Sequence, residues 1–202
     1  LYEKIIERYE TKKKNEELFI MSISMQNHGG YTEEYDNFDE QIRMLGAGYV
    51  DSNQYLSLIH ESDKALEYLI SYFQNVDDPV EIVFFGDHQP SLNTSFYQKL
   101  NGKGLSGLTE DELENLYTVP FFIWTNYDTE EEEVPITSLN YLSTLALERA
   151  GIELPPYNQF LADMMETVPA INSRGYYSKT SGHFMHLDEA EGAEAECISH
   201  YQ

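Results

Sequence analysis

Residues 81–90 read Glu-Ile-Val-Phe-Phe-Gly-Asp-His-Gln-Pro. Ile82, Val83, Phe84 and Phe85 form an unbroken apolar run closed by a glycine and a proline, the pattern of a strand buried on both faces of a parallel sheet. Asp87 and His88 follow where the backbone leaves the sheet, and open α/β sheets bind ligands outside the carboxyl ends of their strands. Neighbouring side chains on a regular strand point to opposite faces, so the pair can converge on one ion only if the chain turns at Gly86. A carboxylate and an imidazole suit a borderline cation such as Zn²⁺ or Mn²⁺, but they are two donors of the roughly four that such a site wants. Equally, Asp87 caps the following turn and His88 hydrogen-bonds to it; the motif alone does not separate the two readings.

The flanking sequence supplies a second histidine in the same setting. Residues 18–25, Leu-Phe-Ile-Met-Ser-Ile-Ser-Met, read as a buried strand running into the glycine-bearing loop Gln26-Asn27-His28-Gly29-Gly30-Tyr31. Residues 31–48 are acidic, tyrosine-rich and weakly periodic, a long surface excursion or one irregular helix. Asp51 or Ser52 then caps a helix over residues 53–73, whose apolar positions Tyr55, Leu58, Ile59, Ala65, Leu66, Leu69, Ile70 and Phe73 recur at helical spacing. Strand, helix and strand in that order predict a right-handed crossover and parallel strands, with the helix covering one face. His28 and the Asp87-His88 pair then lie at one edge of the sheet and face one cleft.

Residues 2–14 predict a surface helix with a narrow stripe of Ile5, Ile6 and Tyr9. Beyond the central run, residues 91–108 form a polar connection, and Thr109-Glu110-Asp111-Glu112 opens a short helix with a capping box. Residues 119–124, Val-Pro-Phe-Phe-Ile-Trp, give a third strand whose Pro120 belongs at an edge or among its first residues. Helices over 138–150, stopped by Gly151, and over 158–166 follow. Periodicity then fades, so the expected organisation is a main domain over residues 1–168 and an acidic, loosely packed extension over 169–202.

Charge narrows the partners. The 202 residues carry 12 basic and 36 acidic side chains, a formal charge of −24, which excludes nucleic acid and anionic lipid head groups as partners of a cationic surface. A phosphate-bearing substrate would need a metal or local donors. The single cysteine, Cys197, leaves the fold without an internal disulfide. No apolar run reaches the roughly 18 residues of a membrane span, and the chain starts at Leu1, so it is read as a soluble piece whose targeting and anchoring segments lie outside it.

The remaining candidates are weaker. His60 falls off the apolar stripe of its helix, and His200 is in the polar C-terminal stretch. His183 and His186 would pair on a helix, but Gly182 favours a loop. Arg174 has a fork suited to an anion, though a lone arginine in such a loop is ordinarily a surface residue. No serine, threonine or cysteine has a base and an orienting acid beside it.

Taken in order, the strand leading to Gln26-Asn27-His28-Gly29, the helix with Asp63-Lys64-Ala65-Leu66, the turn Phe84-Phe85-Gly86-Asp87-His88-Gln89-Pro90 and the strand at Val119 to Trp124 resemble the C-terminal part of lipoteichoic acid synthase-like phosphoglycerol transferases. These belong to the sulfatase and alkaline phosphatase superfamily, and the resemblance runs over about residues 18–161. It implies an alkaline phosphatase-like three-layer α/β sandwich with a mostly parallel sheet, of which this is the C-terminal portion. It also implies Asp87 and His88 as ligands of a divalent metal, Mn²⁺ before Zn²⁺, Mg²⁺ or Ca²⁺, and His28 in the substrate pocket. The substrate would be a phosphoglycerol lipid or another phosphate or sulfate ester. The parent would sit in the bacterial cell membrane with this domain on the extracellular side, making cell-surface polymer. The family's threonine nucleophile has no counterpart here, so the chain alone is expected to be inactive and to hold metal weakly. A sulfatase or phosphodiesterase on the same scaffold is the near alternative; a non-catalytic surface or glycan-binding domain is the distant one.

Overall fold

The computed structural model describes residues 1–33 and 35–202. The chain divides into two compact units, one made of Leu1–Val80 with Gln89–Gly107 and the other of Glu81–His88 with Leu108–Gln202.

In the first unit the expected long helix is present as α2, Val50–Phe73, and the leading helix as α1, Tyr2–Glu10. The two helices pack together, Ile6 of α1 and Leu69 and Phe73 of α2 are buried, and the Tyr9 ring meets Phe73 edge-on at 5.1 Å. The Tyr9 hydroxyl and the Lys12 ammonium both reach the Asp78 carboxylate at 2.9 Å, which ties the end of α1 to the loop after α2.

The other end of α2 buries polar groups rather than a stripe of large apolar ones. Ser57 Oγ accepts the backbone N–H groups of Gln41 and Ile42 at 3.0 Å, Asn53 Oδ1 accepts that of Met44 at 2.8 Å, and the Gln54 amide donates to the Glu33 carbonyl at 3.1 Å. These bonds satisfy backbone of the irregular excursion that the sequence places over residues 31–48, whose described residues carry no ladder of their own. Asp51 accepts from Ser52 N–H rather than from a helix-capping position, and the N-cap is Tyr49. A shorter helix, α3, covers Thr94–Asn101 with Asn93 as its cap.

The second unit holds β1, Glu81–Phe85, and β2, Phe121–Thr125, where the sequence places strands. They pair with each other and run antiparallel, Glu81 opposite Thr125 and Phe85 opposite Phe121, with Phe84 and Phe122 stacked at 5.3 Å. The expected parallel arrangement is therefore corrected for this pair. The Gly86 N–H donates to the Pro120 carbonyl at 3.1 Å, so the chain re-enters β2 at the end where it left β1; parallel neighbours would require re-entry at the opposite end. Pro120 precedes the strand and costs no ladder bond.

Residues 18–25 form no strand. Phe19 is 92% exposed, and Met21, Ile23 and Met25 are also open to solvent. A strand exists by virtue of a partner, and β propensity without pairing does not make one. Both described sheets, the second being β3, Gly175–Ser178, with β4, His183–His186, are two-stranded and antiparallel. A mostly parallel sheet is not what the described residues build.

The C-terminal stretch also departs from expectation. Here α4, Glu110–Glu114, carries the anticipated capping box, α5 spans Leu142–Arg149, with Gly151 just beyond it in the left-handed region, and α6 spans Pro156–Thr167. Residues 169–202 then supply the β3–β4 hairpin and α7, Gly192–Tyr201, and they pack firmly. Tyr176 and Ile198 join Tyr141, Leu161, Met164 and Val168 in the core of this unit. The Tyr141 hydroxyl donates to the Val168 carbonyl at 2.6 Å, and the buried Glu194 carboxylate accepts from Tyr176 and Ser178. Hydrophobic periodicity missed this because the core residues come from a short hairpin and an Ala- and Glu-rich helix that bury few side chains each. No helix among the described residues is long and apolar enough to cross a membrane.

Candidate functional site

The backbone of β1 ends at Gly86, whose role is closer to packing than to turning. Its φ is not in the left-handed region, and a Cβ there would sit 3.0 Å from Val119 Cβ, so the glycine lets the strand ends close together. Asp87 and His88 follow at once. Asp87 Oδ1 accepts the His88 N–H at 2.9 Å, the hydrogen bond of the turn-capping reading. The other carboxylate oxygen, Oδ2, lies 3.7 Å from His88 Nε2, and both side chains are mostly exposed.

That spacing fits a metal as far as two donors can. Ligand atoms on a four-coordinate ion with bonds of about 2.1 Å lie roughly 3.4 Å apart. One oxygen fixes the turn while the second converges with an imidazole nitrogen, so the capping and ligating readings are compatible. Among the described residues no group of three or more His, Cys, Asp or Glu side chains is placed to hold a metal. By itself the pair offers two donors, short of the roughly four such an ion wants.

His28 belongs to the other unit, on a tight turn closed by its own N–H to the Met25 carbonyl at 3.1 Å, with its side chain exposed. The turn is fastened to α2. Gln26 Nε2 donates to Ser62 Oγ at 3.1 Å, Ser62 Oγ lies 3.1 Å from Asn27 Oδ1, and the buried Tyr31 donates its hydroxyl proton to the Asn27 carbonyl at 2.5 Å. Sequence reading passed over these partners. The available signal was a pair of amide side chains directly before a loop histidine, facing a helix with serine on its flank.

The other candidates resolve into structural roles. Arg174 Nε donates to Glu114 at 2.7 Å, the guanidinium reaches Glu110 at 3.4 Å, and it lies over the Tyr117 ring at 5.1 Å. The carboxylate neighbours, Glu114 first, push its already high pKa further up, so its charge is committed to α4. A cavity of about 260 Å³ beside it is lined by Glu110, Asp111, His183 and His186 among others. Its acids are engaged as well: Asp111 accepts the Phe184 N–H at 2.9 Å and Glu114 the Asn172 amide at 2.8 Å. His183 and His186 sit on strand β4 rather than on a helix, and although both border this cavity they belong to no group of three or more potential ligands among the described residues.

Comparison with known proteins agrees with this architecture. A solved structure, Streptococcus pyogenes phosphoglycerol transferase GacH in complex with sn-glycerol-1-phosphate, superposes over 98% of this chain with a TM-score of 0.65 at 21% identity, and the match covers 44% of that chain. The likeness carries an alkaline phosphatase-like α/β fold. A Rhizobium meliloti (strain 1021) protein named for cyclic β-1,2-glucan modification is 25% identical over 156 residues, 73% of this chain and 24% of the relative. The capsular polysaccharide biosynthesis protein RkpI of the same organism is 30% identical over 91 residues, 45% of this chain and 15% of its own. The chain thus spans less than half the length of each of these proteins. The sequence profile of the sulfatase family matches residues 1–152. That match takes in most of the chain, and the chain belongs to the sulfatase family.

Proposed function

We propose that the intact protein is a membrane-anchored, metal-dependent phosphoglycerol transferase of the bacterial cell surface, and that this chain forms the C-terminal part of its catalytic domain on the extracellular side. The observation that carries this reading is the Asp87–His88 pair at the end of β1, with donor atoms 3.7 Å apart. Support for the donor comes from the glycerol phosphate bound by the solved relative, and for a saccharide acceptor from the two Rhizobium relatives named for glucan and capsular polysaccharide.

In this reading Asp87 and His88 hold a divalent ion, Mn²⁺ foremost, together with ligands from outside the chain. A bound ion would supply Lewis-acid polarisation of a phosphoryl oxygen and a lowered pKa for the nucleophile. His28 binds the phosphoglycerol group, orienting the ester so that the leaving oxygen faces the attacking group. The nucleophile comes from outside this chain, so the chain alone forms no covalent phosphoglycerol intermediate. The strong negative charge of the chain, −24, adds to the need for a cation when a phosphate ester approaches.

A sulfate ester or phosphodiester hydrolase is the second reading, favoured by the matching family being that of sulfatases. One assay separates them. The intact protein with Mn²⁺, a phosphoglycerol lipid and a saccharide acceptor is expected to yield glycerol phosphate on the saccharide. Release of sulfate or of free glycerol phosphate, with no transfer, would replace the first reading by the second.

A further inference from the structure

The Asn27-His28 turn is held from two independent sides, both within the first unit. Ser62, on the flank of α2, meets the side chains of Gln26 and Asn27 at 3.1 Å each, and Gln26 Nε2 also reaches the Leu58 carbonyl at 3.4 Å. On the other side Tyr31, 5% exposed, places its hydroxyl on the Asn27 carbonyl while its ring meets Tyr55 of α2 edge-on at 5.4 Å. Asn27 is thus fixed through its side chain and through its backbone, and the next residue is His28. Histidine on an exposed loop ordinarily samples several orientations; here the peptide that sets its Cα–Cβ direction is clamped to a 24-residue helix.

We propose that Ser62 and Tyr31 are positioning residues for His28, acting through Asn27 to aim the imidazole at the phosphoglycerol group. The proposal rests on the reading of His28 as a substrate-binding residue for its consequence in catalysis, but the clamp itself is a property of this chain. Ser62 touches no reacting atom. Its hydroxyl both accepts from Gln26 and donates to Asn27, which is a demand that serine and threonine meet and alanine does not. Tyr31→Phe removes one hydrogen-bond donor and keeps the buried ring, so the core contact with Tyr55 survives the change.

The test has two arms. In this chain, the imidazole proton resonances of His28 are expected to shift and broaden in Ser62→Ala and in Tyr31→Phe, and to return towards their original positions in Ser62→Thr. Unchanged resonances in both variants would overturn the clamp. In the intact enzyme, each variant is expected to raise KM for the phosphoglycerol donor about fivefold with little change in kcat, the scale of one or two lost hydrogen bonds. Added to His28→Ala, neither is expected to raise KM further, since a residue acting only through His28 has nothing left to act on. Full additivity in the double variants would reduce Ser62 and Tyr31 to stabilisers of the fold and overturn the positioning role. If His28→Ala itself leaves KM and kcat unchanged, the substrate-binding reading of His28 falls, and the resonance arm decides the clamp separately.

Discussion

Gly175 shows how a single atom can decide a local structure. It opens β3 opposite His186, and a Cβ at that position would lie 2.0 Å from the Met185 carbonyl oxygen and 2.8 Å from the Phe184 ring. Gly175→Ala is expected to cost about 1–3 kcal/mol, because the hairpin backbone must part to admit the methyl group. Urea unfolding measures it, and an unchanged midpoint would contradict the close approach. Next along the strand, the buried Tyr176 donates its hydroxyl to the buried Glu194 carboxylate at 3.1 Å. Burial, and then that hydrogen bond, push its pKa from about 10 up to about 12. The protonated phenol is the form the fold prefers. Its contribution to stability is therefore complete below the unfolded pKa near 10 and is lost as pH rises through about 12. Stability measured by urea unfolding from pH 9 upward is expected to fall across that window, and Tyr176→Phe to fall less. An equal fall in both would contradict the assignment. At this scale sequence placed Asp87 and His88 just past the end of a strand, which is where they lie after β1. It was silent about Ser62, whose partner Asn27 lies 35 residues away on a loop with no periodicity.

Elements were legible where their signal is local. Helix α2 follows from recurrence at three and four residues, α5 and α6 from the glycine and proline signals that bound them, and the capping box of α4 from four consecutive residues. Strand pairing is not local, and the two errors lie there. The apolar runs of β1 and β2 marked strands correctly, but their relative direction depends on where the intervening chain returns, which the runs do not encode. Residues 18–25 have the composition of a buried strand and no ladder partner among the described residues, leaving Phe19, Met21, Ile23 and Met25 exposed. Their amides are expected to exchange with solvent several orders of magnitude faster than those of Val83 and Phe84 in this chain, since unpaired exposed amides have no opening step to wait for. Protection comparable to β1 would show that the segment is paired. The hairpin and α7 escaped detection for a related reason: each buries only one or two side chains, and their core is assembled from pieces distant in sequence.

One unit clamps His28 on the flank of α2, and the other projects Asp87 and His88 from the end of β1. If the proposed site takes a phosphate ester, the chain's 24 excess negative charges call for a cation beside it. In the proposed reading the pair gives two metal donors and the rest come from outside the chain, so that reading is tested on the intact protein. The most direct measurement is bound Mn²⁺ and phosphoglycerol transfer, taken on the same preparations of the intact protein, Asp87→Ala and His88→Ala. The account predicts that each substitution lowers metal content and cuts turnover by at least about 10³-fold, because losing a ligand removes charge that stabilises the transition state. Stoichiometric metal and undiminished transfer in both variants would contradict it.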